Sequence, residues 1–410
     1  MSNSARPDLK GARPLFGALA VAMLGNGLLG TVVGIRAELE NFPTATSGLV
    51  MSSFYVGFLV ACAGAPRFLG RVGHLRAFAA LSIGSAITAL AYPAFPNPAA
   101  WAILRFLTGA AAAGIYVTCE SWLAGAGPAR TRGRLLAAYL LVVNSGYGLG
   151  QLLLGIGSPA GARLFGISAV LIALSVLPLV GMRGRRPPQT YRGRLRLLDL
   201  ARISPLGAAT SFATGIGVGT VLGFGAVYGT AAGMSPGRVG LLMGTAMAGG
   251  LVLQWPIGAL SDRIDRRLVI VAAAFLAGAI AVAGAFVEPR SVAILACVFG
   301  FTGFCFPLYS LAISHVNDSI DRRSVVAASS TLLAVYGLGT LVGPFGTSLV
   351  IEAMGPAGFW LLSGLAHLAL GLYGTSHLVR RQPTPDVPRV AAPQAVRSIE
   401  EELGLSRPQP

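Results

Sequence analysis

Leu251-Val-Leu-Gln-Trp-Pro-Ile-Gly258-Ala-Leu-Ser-Asp262-Arg263-Ile-Asp265-Arg266-Arg267-Leu268-Val-Ile-Val-Ala-Ala-Ala-Phe275 decides how this chain is read. Five of the six residues from 262 to 267 are charged, and an apolar run lies on either side. Residues 239–261 and 268–287 contain no Asp, Glu, Lys or Arg. A helix needs about 20 apolar residues to cross the hydrocarbon of a bilayer. The stretch therefore reads as two membrane-spanning helices joined by a short charged turn. Its Arg residues put that turn on the cytoplasmic side.

The same pattern extends in both directions. Of 410 residues, 54% are hydrophobic and 11% charged, with a mean hydropathy of +0.70. A soluble domain carries about 25% charged residues, so an ordinary soluble enzyme is excluded. An outer-membrane barrel is excluded too, because its strands would be polar at every second position. The 55 glycines follow no collagen-like period and fit close helix packing in a membrane. Spans are expected near 15–36, 45–66, 74–95, 99–124, 134–157 and 162–181. A second set falls near 203–231, 237–260, 268–287, 290–316, 324–350 and 356–379. The first apolar run has no small-residue cleavage site after it and reads as a retained helix.

Charge tests this count of twelve. With the N-terminus inside, 26 of the 31 basic residues fall on inside segments. The other five are Arg36, Arg105, Arg163, Arg238 and Arg290. This asymmetry is the positive-inside pattern, and it puts both termini in the cytoplasm of a bacterial-type inner membrane. The net charge of +16 is thus a matter of topology. Nucleic acid is not an expected partner, since no basic face forms. Residues 1–14 read as a cytoplasmic N-terminus, 15–181 as one six-helix bundle and 182–202 as a cytoplasmic linker. Residues 203–380 read as a second six-helix bundle and 381–410 as a largely disordered tail. The Arg- and Leu-rich piece 194–202 is expected to lie as an amphipathic helix on the inner membrane surface.

The halves echo each other. Tyr147-Gly-Leu-Gly150 in the fifth span matches Tyr336-Gly-Leu-Gly339 in the eleventh. Thr108-Gly109 with a later Tyr116 in the fourth matches Thr302-Gly303 with a later Tyr309 in the tenth. Repeated halves place a substrate site near the midplane, at their interface.

The turn Gly258-Ala-Leu-Ser-Asp262-Arg263-Ile-Asp265-Arg266-Arg267 resembles the cytoplasmic loop signature of the major facilitator superfamily, with Asp265 where a Gly is usual. Pro66-Arg-Phe-Leu-Gly70-Arg71-Val-Gly73-His74-Leu-Arg76 is an eroded first-half copy. Arg105-Phe-Leu-Thr108-Gly109 resembles the family's fourth-helix Arg motif. The fifth span has Gly150-Gln151 where the drug antiporters have Gly-Pro. Glu120-Ser-Trp-Leu through Arg132-Gly-Arg134-Leu-Leu-Ala-Ala-Tyr139 is similar to the YcaD-like group. The resemblance implies an all-α membrane protein of twelve transmembrane helices in two bundles, a secondary transporter working by alternating access.

Arg105 is the sharpest single feature. It lies about 10 Å, seven residues, below the outer edge of its span, at a depth where an unpaired charge is costly. Thr108, Gly109, Ala112, Tyr116 and Glu120 share its helix face. Two readings stand: Arg105 attracts an anionic substrate or tunes a proton carrier, or it pairs structurally with backbone carbonyls or Glu38. Further candidate substrate-binding residues are Asn26, Tyr116, Asn144, Tyr147, Gln151, Gln254 and Tyr309. Glu120, about 22 Å further along the helix axis, is expected to join Arg71, Arg76, Arg132 and Arg134 in a cytoplasmic gate network. Asp262, Arg263 and Arg266 play that part in the second half, aided by Asp318, Asp321 and Arg322. Glu38 and Glu120 are the carboxylates available for proton coupling. No Ser-His-Asp set, P-loop or metal-ligand spacing occurs, so no catalysis, cofactor or metal is expected. The expected partners are a small-molecule substrate, the bilayer and protons, and the chain is expected to be a monomer. Three functions remain open: a carrier for a small organic solute of anionic or aromatic character, an efflux transporter for drugs or metabolites, and a transporter-like sensor.

Overall fold

The structure, a computed structural model, describes residues 9–125, 129–180, 197–318, 320 and 325–380. Its regular elements are helices, with no strand among the described residues. The first half contains α1 (Leu9–Leu39), α2 (Thr44–Val72), α3 (His74–Ala91), α4 (Pro98–Gly125), α5 (Ala129–Leu152) and α6 (Arg163–Leu174). A short α7 (Leu197–Ile203) leads into α8 (Pro205–Val218), α9 (Gly225–Ala231), α10 (Pro236–Ser261), α11 (Arg266–Gly284), α12 (Ala293–Asn317), α13 (Val325–Met354) and α14 (Gly358–Arg380). Ten stretches are long and apolar enough to cross a membrane, α8 and α9 together making one of them. The sixth span is the shorter apolar stretch Arg163–Leu179, and α14 is the twelfth. The chain is a twelve-span helical membrane protein.

Backbone contact between helices organises each half. Gly27 of α1 lies on the Tyr147 carbonyl of α5, and Gly150 lies on the Leu24 carbonyl of α1. The second half repeats this crossing: Gly215 of α8 lies on the Tyr336 carbonyl of α13, and Gly339 on the Phe212 carbonyl. The two Tyr-Gly-Leu-Gly sequences are thus the same backbone crossing made twice. A third crossing joins α2 and α4, with Gly57 on the Phe106 carbonyl and Gly109 on the Phe54 carbonyl. At each of these positions a Cβ would overlap the facing backbone, so only glycine permits the approach.

The seventh span departs from one continuous helix. Gly219–Phe224 form a wide π-helical turn between α8 and α9. Within it, Gly219 packs on Thr340 and Gly223 on Pro344 and Tyr55. Such turns are uncommon and cluster at functional sites. The short helix α7 has two sides, with Ala201, Arg202 and Ile203 exposed. Leu200 is fully buried in a cluster with Val316, Ala328 and Leu332, so α7 docks on α12 and α13. Apolar side chains of the second half offer Leu200 a drier site than the lipid headgroup region. The linker residues 182–196, the tail 381–410, residues 1–8, Asp321 and Arg322 lie outside the described residues.

The charged turn between α10 and α11 folds locally. Asp265 caps α11, its carboxylate accepting from the Arg267 backbone N–H at 2.9 Å and pairing with the Arg267 guanidinium at 2.7 Å. The hydrogen bond from the Arg267 side chain holds the Asp265 carboxyl below the usual carboxylate range. A carboxyl lowered in the folded state stabilises at neutral pH, and that support fades as pH falls through the lowered value.

Two expectations follow from this packing. Gly109→Ala forces a Cβ onto the Phe54 backbone and should cost at least the ~1–3 kcal/mol of core overpacking. Gly64→Ala, whose Cβ has no neighbour within 4 Å, should leave thermal unfolding in detergent unchanged or slightly raised. Equal melting temperatures for the two variants would refute the crossing. Asp265→Ala should cost about 1 kcal/mol, the usual value of a helix cap. The melting difference from the parent should shrink on strong acidification; a difference independent of pH would exclude an ionised cap.

Candidate functional site

Residues from the middle turns of α1, α2, α4 and α5 line a partly open cavity. On α4, Arg105, Thr108, Ala112 and Tyr116 line it, a single helix face at spacings of three and four. Asn26, Leu29 and Gly30 come from α1, Phe54 and Tyr55 from α2, and Tyr147 from α5. Leu222, in the wide turn of the seventh span, is the lining residue from the second half.

Arg105 is 5% exposed, and its Nε has no hydrogen-bond partner. Its guanidinium stands over the Phe54 ring at 5.0 Å. No ion pair joins it to a carboxylate among the described residues, so pairing with Glu38 is not what holds it. The charge persists because Arg cannot deprotonate in a protein. Cation–π contact returns part of the desolvation cost, on the order of 1–2 kcal/mol when the pair is dry. The crossing of α2 and α4 makes this contact, since the Phe54 carbonyl rests on Gly109, one turn from Arg105. The hydroxyls of Tyr55, Tyr92 and Tyr147 share the field of Arg105.

The other polar groups have defined settings. Asn26 Nδ2 donates to the Ala22 carbonyl at 2.8 Å, which leaves Oδ1 without a donor among the described residues. Tyr116 OH points to Met23 Sδ at 3.4 Å. A Cβ on Gly30 would stand 2.7 Å from the Tyr147 hydroxyl, so glycine there makes room for that ring. Thr108 Oγ1 donates to the Leu104 carbonyl and lies 3.1 Å from Tyr92 OH, which braces the wall behind Arg105.

Of the eight residues expected to bind substrate, Arg105, Asn26, Tyr116 and Tyr147 meet in this cavity. The other four lie elsewhere. Gln254 Nε2 bonds Ser310 Oγ at 3.1 Å within the second half. Tyr309 packs on Tyr336, with ring centroids 4.5 Å apart. Asn144 is half-buried outside the cavity lining. Gln151 is fully buried, its amide atoms unpartnered among the described residues. Its backbone carbonyl faces Gly240 of α10, at the seam between the halves. Phe54 and Leu222 escape a sequence reading, because an apolar residue in an apolar span carries no signal of its own.

The gate residues divide in two groups. Arg266 pairs with Asp318 and lies 3.6 Å from Asp262, tying the α10–α11 turn to the end of α12. Glu120 accepts a hydrogen bond from Tyr139 OH at 3.1 Å and has no ion pair with Arg71 or Arg76, both exposed. The side chains of Arg132 and Arg134 lie outside the described residues. No described ion pair links the halves. Glu38, half-buried near the far end of α1, lies beside an Arg36–Glu40 ion pair of 2.5 Å.

The profile of the Major Facilitator Superfamily matches residues 15–207 and 207–407. An uncharacterized MFS-type transporter of Yersinia pestis is 31% identical over 360 residues, covering 86% of this chain and 91% of the relative. The MFS-type transporter YcaD of Escherichia fergusonii is 28% identical over 340 residues, covering 82% and 88%. Among solved structures, the nucleoside transporter NupG superposes with a TM-score of 0.75 at 14% identity, covering 92% of this chain and 100% of that one. The repeated helix crossings, the twelve spans and these matches agree: the chain belongs to the major facilitator superfamily of membrane transporters.

Proposed function

We propose that this protein is a secondary transporter that moves a small organic solute, anionic or aromatic in character, through the Arg105 cavity by alternating access. The carrying observation is a buried guanidinium with no carboxylate partner among the described residues, in a cavity walled largely by aromatic and amide groups. An unpaired charge at this depth is costly and marks a functional group by default. In this reading the Arg-rich turns face the cytoplasm, both termini lie inside, and residues 15–181 and 203–380 are the two moving bundles.

The contacts between the halves support one end of the cycle. Gly34 faces Ala226, Gly48 faces Ser348, and Ser52 Oγ donates to the Leu341 carbonyl at 2.9 Å. Gly240 meets Gln151, and Gly148 meets Met247. These pairs lie toward the end opposite the Arg-rich turns, while Glu120 near the basic end is exposed. The reading is an inward-open state sealed on the outside by small residues. Rocking to the outward-open state would bring Glu120, Arg71, Arg76, Arg132 and Arg134 toward Asp262, Arg263 and Arg266, forming an ionic clamp between the halves. Glu120, held by Tyr139, and Glu38 are the carboxylates that would carry coupled protons. Export of aromatic compounds uses the same cavity in the opposite direction, and the rings of Phe54 and Tyr55 favour it as a second reading.

A thermal-stability screen of purified protein against metabolites and drugs tests the site. A ligand at 100 times its Kd should stabilise the fold by ~2.7 kcal/mol. Arg105→Ala should abolish the shift; a shift retained in that variant removes Arg105 from the site. The seal is tested with Gly48→Val, whose Cβ would overlap the Ser348 side chain and keep the outer side from closing. The variant should fold and bind the ligand found in the screen yet lose its proteoliposome transport. Transport at the parent rate would end the alternating-access reading.

A further inference from the structure

We infer that the transported solute is an aromatic monocarboxylate carrying a hydrogen-bond donor, an inference that rests on the Arg105 cavity being the substrate site. The charge count comes first. The cavity wall holds one permanent cation and, among the described residues, no carboxylate paired with it. The nearest acid on the same helix, Glu120, is about 22 Å further along the axis and is bonded to Tyr139. One negative charge on the solute therefore neutralises the site. A second would sit uncompensated where desolvation is severe. A neutral solute would leave the Arg105 charge without a counter-ion. The repeat reinforces the count: three residues before Thr108 stands Arg105, and three before Thr302 stands Phe299. The matching position in the second half thus brings no second cation.

The shape of the cation selects the anion. A guanidinium presents a planar fork that fits a carboxylate through two parallel bonds. The Arg105 Nε is sealed in the wall, so the terminal Nη groups are the ones a carboxylate can reach from the cavity. One guanidinium face is already covered by Phe54, so the carboxylate approaches in the guanidinium plane rather than from above.

Beyond the charge, the walls are flat and apolar. Tyr55 stands edge-on to Phe54 at 5.3 Å and 83°, and Tyr116 and Tyr147 complete the aromatic lining. Aromatic rings favour edge-to-face or offset contacts with another ring over contact with a saturated chain. Finally, Asn26 Oδ1 has an acceptor position to fill, since its Nδ2 is already bonded to Ala22. Asn26 is half-buried, so a solute that displaces water from Oδ1 keeps a hydrogen bond there only if it brings a hydroxyl or N–H, which bare hydrocarbon does not.

The experiment compares probes of one size on the full-length protein in proteoliposomes and by thermal shift. The probes are 4-hydroxybenzoate, its neutral amide 4-hydroxybenzamide, the dianion phthalate, non-aromatic cyclohexanecarboxylate and donor-free benzoate. The expected result is that 4-hydroxybenzoate binds at least tenfold more tightly than the amide, phthalate or the cyclohexane acid. It should exceed benzoate by several-fold, and Asn26→Leu should erase that last difference alone. Arg105→Lys, which keeps the charge and loses the fork, should weaken 4-hydroxybenzoate while leaving the protein folded. Binding of the amide equal to that of the acid overturns the inference. So does tighter binding of phthalate, or no preference for the aromatic ring. If a neutral or saturated probe is instead the one transported, and Arg105→Ala abolishes its uptake, the transport reading stands and the solute class proposed here is wrong. If no probe binds in protein whose fold is intact, the class is likewise wrong.

Discussion

Backbone touching backbone at glycine is the contact on which this structure depends. Helices in a bilayer gain little by burying apolar side chains against one another, because lipid is equally apolar. They gain by approaching closely enough for dispersion and Cα–H···O contacts along the backbone. The pairs Gly27–Tyr147, Gly150–Leu24, Gly57–Phe106 and Gly109–Phe54 do this in the first half, and Gly215–Tyr336 and Gly339–Phe212 in the second. Each crossing also fixes the rotation of two helices about their axes. That rotation turns Arg105, Tyr116, Tyr147 and Phe54 toward one cavity.

The second constraint is electrostatic. A permanent charge 5% exposed at mid-depth needs compensation. Here the compensation is soft: the Phe54 face and a surround of hydroxyls from Tyr55, Tyr92 and Tyr147. The arrangement gives Arg105 no counter-ion among the described residues, unlike a structural ion pair. The Arg36–Glu40 and Arg266–Asp318 pairs, by contrast, close their charges locally and sit near the two ends of the bundle.

The halves share a scaffold and divide the chemistry. Both contain the Tyr-Gly-Leu-Gly crossing, yet Arg105 has Phe299 at its matching position. In the second half Gln254 bonds Ser310 and Tyr309 packs on Tyr336, and these two rings come close enough to the first half to share the field of Glu120, Tyr55 and Tyr116. The second half reaches the cavity through Leu222, carried there by the wide turn Gly219–Phe224. Where the halves meet, Gly48, Gly34 and Gly240 pack closely on Ser348, Ala226 and Gln151, and no ion pair joins the halves among the described residues.

The sequence by itself determined the spans, their number, their likeness to the superfamily and the depth of Arg105. These are local properties: hydropathy is summed over one helix, and charge marks where a helix ends. It also showed the Tyr-Gly-Leu-Gly repeat, without showing that each copy is one side of a backbone crossing, because the other side lies on a distant helix. Only the tertiary structure decided which polar residues meet. Asn26, Arg105, Tyr116 and Tyr147 share a cavity, while Asn144, Gln151, Gln254 and Tyr309 do not. Composition treats all eight alike. What separates them is the register and rotation of each helix against its neighbours, and that is set by where glycine allows two backbones to touch.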